Sequence, residues 1–456
     1  MKILLFLLLV ATATATARKP NIILIYMDDM GYGDVGCFGS TKNRTPVIDH
    51  LAENGMRFTD FYVTSGVCTP SRSSLLTGCY PRRLNMHVDQ NNKWVLFPNA
   101  RKGLNPDETT VAEILKEQGY ATTCIGKWHL GDQPEFLPTK HGFDSYFGIP
   151  YSNDMGRKNI PLPLLRDEKV IEAPVAQSPV TNRYTEEAIS FIKTNRDKPF
   201  FLYLPHTSVH LPLFPNEKFR GKSKNGKYGD WIEEVDACTG LLLAVLKHEN
   251  LVDDTLIIFT SDNGSNNRNG GSNAPLKGAK GSTHEGGMRV PCVMHWPGKI
   301  PASSTCSEVA STLDFLPTFA ALAKGKLPGK KIDGHDISNL IFAKPDTKSP
   351  HKAFYYYHTT QLQAVRSGKW KLVLPQTQKF EGWSGKKKDT PIQLFDLSVD
   401  SGESKNLAEL HPDVIARLSK LAEKARQELG DGDKNGEGQR PAGWVKEAKP
   451  LLLKGS

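Results

Sequence analysis

Asn21-Ile22-Ile23-Leu24-Ile25-Tyr26-Met27-Asp28-Asp29 is an apolar run that breaks off at two adjacent carboxylates. A short run with no residue suited to water is the pattern of a strand covered on both faces, as in a parallel sheet between helices. The same pattern predicts strands over 200–204 and 256–260, with weaker copies at 121–125 and 292–296. Helical patterns lie between them. One is predicted over 110–118, opened by a Thr110/Glu113 capping box and stopped at Gly119; another over 230–248 places Ile232, Val235, Thr239, Leu242, Leu243 and Leu246 on one side. This alternation predicts an α/β fold, an open sheet with helices on both faces.

Ligands of open α/β sheets collect beyond the carboxyl ends of the strands. The first strand ends at Asp28-Asp29, the second leads to His206 and His210, and the third runs into Asp262-Asn263. Adjacent carboxylates repel unless they are solvated or share a cation. Asp28, Asp29, Asp262 and Asn263 offer only oxygen donors, which suits calcium or magnesium rather than zinc. Asp-Asn-Gly is also a turn sequence, and on the residues alone both readings stand.

Two further stretches carry chemistry. Cys68-Thr69-Pro70-Ser71-Arg72, followed by Ser73-Ser74-Leu75-Leu76-Thr77-Gly78, reads as a helix start with Thr69 as cap and Pro70 at the first helical position. Such a terminus presents free N–H groups to an anion. The second is Gly119-Tyr120-Ala121-Thr122-Thr123-Cys124-Ile125-Gly126-Lys127-Trp128-His129-Leu130. Together they resemble the two signatures of the sulfatase family, and the resemblance runs along nearly the whole chain after residue 17, densest over 20–297. It is strongest to the subgroup that holds arylsulfatase A and N-acetylgalactosamine-6-sulfatase.

The resemblance implies an alkaline-phosphatase-like sheet of mostly parallel strands and hydrolysis of sulfate monoesters, on sugars of sulfated glycans or polysaccharides. It implies that a maturation enzyme oxidises Cys68 to formylglycine, whose hydrated aldehyde has one hydroxyl to attack sulfur and another to expel sulfate. It further implies one calcium ion (Ca2+) held by Asp28, Asp29, Asp262 and Asn263, with residue 68 completing the site. Arg72, Lys127 and His129 would surround the diol, His129 removing its remaining proton. His210 and Lys280 would contact the sulfate and protonate the leaving group, with Ser152 close by. Asn153 stands where arylsulfatase A has histidine, which implies a different sugar pocket. The loops 85–94 and 153–158 are expected to line that pocket, with Arg157 in recognition and His206 in a supporting position. Two alternatives are a phosphomonoesterase or phosphodiesterase of the same superfamily, which uses Ser or Thr and two metals, and a catalytically dead sulfated-glycan-binding protein, in which Cys68 stays a thiol.

Beyond a polar, proline-bounded linker at 345–350 the pattern changes. Short strands are predicted at 354–357, 363–367, 370–374 and 393–397, then a helix over 413–429 with Val414, Ile415, Leu418, Leu421, Ala422 and Ala425 on one face. We therefore expect a catalytic domain over 18–348 and a smaller C-terminal α+β subdomain over 349–456, an antiparallel sheet packed on a helix. The stretch 430–439 reads as irregular, and Asp431, Asp433 and Asn435 fall short of a calcium loop. At the other end, Lys2, the apolar run 3–10 and Ala15-Thr16-Ala17 read as a signal peptide over 1–17. Its apolar part is too short to cross a bilayer, and export to a bacterial periplasm or medium is expected. The formal net charge of +9 is scattered, apart from Lys386-Lys387-Lys388, and suits anionic substrates rather than nucleic acid. Seven cysteines (37, 68, 79, 124, 238, 292 and 306) show no disulfide framework, and oligomeric state is not written in the pattern. One of two glycosylation sequons, Asn43 and Asn263, falls on an expected metal ligand, which favours a bacterial over a lysosomal setting.

Overall fold

A computed structural model describes residues 18–157, 159–375 and 391–453. The expected signal segment, Lys158 and the Lys386–Lys388 run lie outside the described residues. In the large sheet the strands are β1 (Asn21–Met27), β2 (Met56–Phe58), β3 (Ala121–Ile125), β4 (Ser145–Gly148), β5 (Leu164–Arg166), β6 (Lys169–Glu172), β7 (Phe200–Pro205), β8 (Thr255–Ser261), β9 (Cys292–His295) and β10 (Ser304–Cys306). Among the described residues their spatial order is β10-β2-β9-β8-β1-β7-β3-β4-β5-β6. The centre, from β8 to β4, is parallel.

Every residue of β1 is buried, and the strand divides the core by alternation. Ile23, Ile25 and Met27 pack with α4 (Val180–Thr194) and α5 (Gly226–His248) through residues such as Tyr184, Ile192, Trp231 and Val235. Ile22, Leu24 and Tyr26 face the other layer, with α2 (Cys68–Thr77), α3 (Val111–Glu117) and α6 (Phe315–Ala323). Helix α3 opens on the expected box, Glu113 N–H donating to Thr110 Oγ1 and Thr110 N–H to Glu113 Oε2. The C-terminal strands β11 (Phe354–His358), β12 (Gln361–Ser367), β13 (Trp370–Val373) and β14 (Gln393–Asp396) form an antiparallel sheet in that order. Helix α7 (Pro412–Leu429) packs on it with Val414, Leu418, Ala422 and Ala425, and this core is continuous with the α2/α3 layer.

Four expectations are corrected. Residues 292–296 were grouped with the parallel strands, but β9 runs antiparallel to β8, because an apolar run reports burial on both faces and carries no direction. Helix α2 begins at Cys68, with Val67 as its extended flank, so Thr69 does not cap it and Pro70 lies further inside. A proline is still tolerated there, since first-turn N–H groups have no intrahelical acceptor. Helix α5 starts at Gly226, ahead of the apolar stripe, and Asp230 instead accepts from the N–H groups of Gly221, Lys222 and Ser223. The stretch after α7 contains a small hairpin, Gly430–Asp431 with Lys434–Asn435. Asp431 is occupied there by Arg426 and the N–H of Leu362.

Candidate active site

The four central parallel strands deliver their polar ends to one place. Past β1 come Asp28-Asp29, past β8 Asp262-Asn263, past β3 Lys127 to His129, and past β7 His206 to His210. Backbone bonds extend the ladder beyond the strands: Asp28 N–H to Ser208 O at 2.8 Å, Asp262 N–H to Met27 O at 3.0 Å, Lys127 N–H to Pro205 O at 2.7 Å. Gly126 is required in that passage, because at φ 136° a Cβ would sit 1.9 Å from Pro205 O. Asp29 and His129 both lie at φ 62°, in the left-handed region that costs a residue with a Cβ about 1–3 kcal/mol.

Each buried carboxylate has its own cation. Arg72 Nη2 and Nε reach Asp262 Oδ2 at 2.7 and 3.0 Å, Lys127 Nζ reaches Asp28 Oδ2 at 2.6 Å, and Lys280 Nζ reaches Asp29 Oδ1 at 2.7 Å. The carboxylates also converge on Cys68. One ligand atom from each of Asp28, Asp29, Asp262 and Cys68 lies within 4.8 Å of the others. Cys68 Sγ is 3.5 Å from Asp28 Oδ1, at the first turn of α2, where backbone N–H groups are free to meet an anion. Asn263 donates through Nδ2 to Asp29 Oδ1 at 2.8 Å, while its own Oδ1 is buried with no hydrogen-bond donor. A buried amide oxygen without a donor, beside three carboxylates, fits a hard cation. Burial, then the charge of Asp28, push the Asp262 carboxyl up to about 6 even beside Arg72, whereas at Asp29 burial is outweighed by the ammonium of Lys280, which holds the carboxyl down at about 2.

Several other groups are fixed in their roles. Arg72 donates through Nη1 to Lys127 O at 2.9 Å and lies over the Tyr26 ring, so it braces the site rather than reaching outward. Burial pushes the Cys68 thiol far above its ordinary value despite Lys127 and Lys280, which makes it a poor thiolate nucleophile. His129 Nε2 faces Leu96 O at 2.9 Å, leaving the buried Nδ1 without a partner; burial and the cations Lys127 and Arg72 hold the ring neutral. With Nε2 as donor, Nδ1 carries the lone pair a base needs. Thr69 ties this residue to α2, donating to His129 O at 3.0 Å. His210 Nδ1 meets two acceptors, Leu211 O at 2.7 Å and Asn153 Oδ1 at 3.0 Å, so the proton is assigned there and Nε2 accepts from Ser152 Oγ at 3.3 Å. Burial, then Lys280, pull this imidazole down to about 4. Lys127 in turn donates to Ser152 Oγ at 3.1 Å.

The structure therefore brings together Asp28, Asp29, Cys68, Arg72, Lys127, Ser152, His210, Asp262, Asn263 and Lys280, with His129 beside them. His206 is buried behind the site, its ring 6.4 Å from Tyr184. Arg157 is not brought in: it is exposed and donates to the carbonyls of Asp154 and Gly156 in its own loop. Sequence reasoning gave no part to Thr69 as a tether, nor to the Leu96 carbonyl that orients His129, since a backbone acceptor has no signal in a side-chain pattern.

The family model described as sulfatase matches residues 20–326, and one for the C-terminal region of aryl-sulfatase matches 349–447. The chain belongs to the sulfatase family. It is similar to arylsulfatase A of Homo sapiens, 39% identical over 91% of this chain and 89% of that one. N-acetylgalactosamine-6-sulfatase of Canis lupus familiaris is 37% identical over 79% of this chain and 72% of its own. Among solved structures, Ps i-CgsB in complex with k-i-k-neocarrahexaose superposes with a TM-score of 0.75 at 34% identity, covering 89% of this chain and 92% of that one. This sulfatase is a sulfuric ester hydrolase, and Asp28 to Lys280 of the cluster lie within the segment matched by the first model.

Proposed function

We infer that this sulfatase removes sulfate from sugars of an anionic glycan, with one calcium ion and with Cys68 converted to formylglycine by a maturation enzyme. The observation that carries the reading is the convergence of Asp28, Asp29 and Asp262 on Cys68, with Asn263 bonded to Asp29 and its own Oδ1 left without a donor. Asp28, Asp29, Asp262 and Asn263 would hold the ion, which supplies stabilisation of negative charge on the sulfate oxygens. Formylglycine supplies a diol with one hydroxyl for attack on sulfur and one for release of sulfate.

The remaining steps belong to ordinary side chains. Lys127 and Lys280 are buried ammonium groups whose charge would stabilise the nonbridging oxygens, where negative charge develops as the S–O bond breaks. Arg72 keeps Asp262 and the Lys127 backbone in place. A sugar alkoxide leaves poorly without a proton. His210 and Lys280 both lie beside Asp29, His210 Nε2 at 3.9 Å from Oδ2 and Lys280 Nζ at 2.7 Å from Oδ1, where each could serve a leaving oxygen. His210 rests neutral, so as the acid it must first take up a proton, and Lys280, charged beside Asp29, aids it. His129, with Nδ1 free, is the base for the second step.

The relative named N-acetylgalactosamine-6-sulfatase and the solved structure in complex with k-i-k-neocarrahexaose support a sugar substrate. Asn153 and the loop 85–94 are proposed to shape the pocket. Export after cleavage near residue 17, a catalytic part over 18–348 and a C-terminal subdomain over 349–456 complete the proposal. Release of sulfate from a panel of defined sulfated saccharides, before and after chelation of divalent ions, tests it; activity indifferent to chelation, or confined to phosphate esters, would overturn it.

A further inference from the structure

Lys280 sits on a loop between two glycines in left-handed conformation, Gly278 at φ 88° and Gly281 at φ 82°. Such a loop does not hold a four-carbon side chain in place by itself. Toward the site it is tied by Lys280 N–H to Ser265 O at 2.9 Å and Gly281 N–H to Gly66 O at 2.8 Å. Gly278 O accepts from Asn267 Nδ2 at 3.0 Å and Asn273 Nδ2 at 3.2 Å, and the further anchors of the segment come from the C-terminal subdomain. Lys371, on β13, has its ammonium at 2.9 Å from Thr283 O, 3.0 Å from Glu285 Oε1 and 2.9 Å from Glu403 Oε1, and all three charged side chains are sealed from solvent. Glu403 accepts from the N–H of Glu285 at 2.8 Å and lies 3.3 Å from His284 Nδ1, while its carbonyl accepts from Lys277 Nζ at 3.2 Å. Thr283 Oγ1 donates to Gln363 Oε1 at 2.7 Å.

A buried triad of this kind contributes little net stability compared with apolar packing, but it fixes one arrangement because each partner is costly to leave unpaired. We propose that Lys371 is a positioning residue for Lys280, so that the C-terminal subdomain sets the geometry of the desulfation step from outside the site. The proposal rests on the sulfatase reading above. A residue misplaced by about 1 Å costs roughly 10²-fold in rate, which bounds the effect.

The test uses the full chain with residue 68 converted. Lys371→Met and Thr283→Val, the second of which leaves no buried charge unpaired, are each made in the wild type and in Lys280→Ala. kcat and KM are measured on 4-nitrophenyl sulfate and on a sulfated monosaccharide that the wild type turns over. The expected result is a fall in kcat of roughly ten- to hundredfold for Lys371→Met, a smaller fall for Thr283→Val, the same substrate preference as Lys280→Ala, and no further loss in the Lys280→Ala background. Unchanged kcat, or losses that persist in full without Lys280, would overturn it. If Lys371→Met fails to fold, Thr283→Val decides alone by the same criteria. A wild type inert on every sulfate ester, with residue 68 converted, would overturn the sulfatase reading and this one with it.

Discussion

Arg72 gives two nitrogens to a single oxygen of Asp262, at 2.7 and 3.0 Å, and both side chains are wholly buried. The pair ties the first turn of α2, where residue 68 sits, to the end of β8, where the proposed ion is held. Replacing Arg72 by Met leaves Asp262 buried without its partner, at a cost of about 3–5 kcal/mol. Urea unfolding of chelator-treated protein checks this. Arg72→Lys is expected to recover little, since an ammonium does not reproduce the guanidinium fork.

Calcium is expected to stabilise the wild type through binding to the folded state alone, by about 2.7 kcal/mol when the ion is a hundredfold above its Kd, and so to raise its thermal midpoint. In Asp28→Asn/Asp262→Asn the shift should disappear, because two of the hard oxygen ligands lose their charge. Thermal scans with and without added ion measure this independently of turnover.

His210→Ala is expected to slow hydrolysis of an unactivated sugar sulfate by about 10²–10⁴-fold, the range for a lost general acid. The loss on 4-nitrophenyl sulfate should be much smaller, since that phenoxide departs without a proton. Equal losses on the two substrates would place His210 in binding instead.

Away from the site, His351 Nε2 lies 2.8 Å from both oxygens of Asp314. Burial works against its charge, but Asp314 outweighs burial and raises the imidazole above its ordinary value. A raised pKa in the folded state means that this contribution to stability is complete below about pH 6.5. It is lost as pH rises through the folded value. Between pH 6 and 9 the urea midpoint of the wild type should therefore fall relative to that of His351→Gln.

Much of the frame was legible because hydrophobic runs report burial directly. The run 22–27 and the stretches around 200–205 and 255–261 located the sheet centre, and their polar ends located Asp28, Asp29, Asp262 and Asn263. Strand direction was not legible, as β9 shows, since a two-faced apolar strand looks alike in either sense. Nor was the exchange between Asn153 and His210, which joins residues 57 apart in the chain through a contact that only folding creates. Lys371 was hidden for another reason. In Trp370-Lys371-Leu372-Val373 a lysine reads as the solvated side of an edge strand, and only Glu285 and Glu403, brought in from other loops, make it a buried charge. Arg157 stands apart from the cluster, bonded to the carbonyls of Asp154 and Gly156 in its own loop.

The central claim is that residue 68 of the active protein is an aldehyde. Mass spectrometry of the peptide spanning Cys68, taken from a preparation that releases sulfate, tests this most directly. The account predicts formylglycine at that position, in a fraction that tracks specific activity across preparations and vanishes in Cys68→Ala together with turnover. Full activity from protein whose residue 68 carries an intact thiol would contradict it.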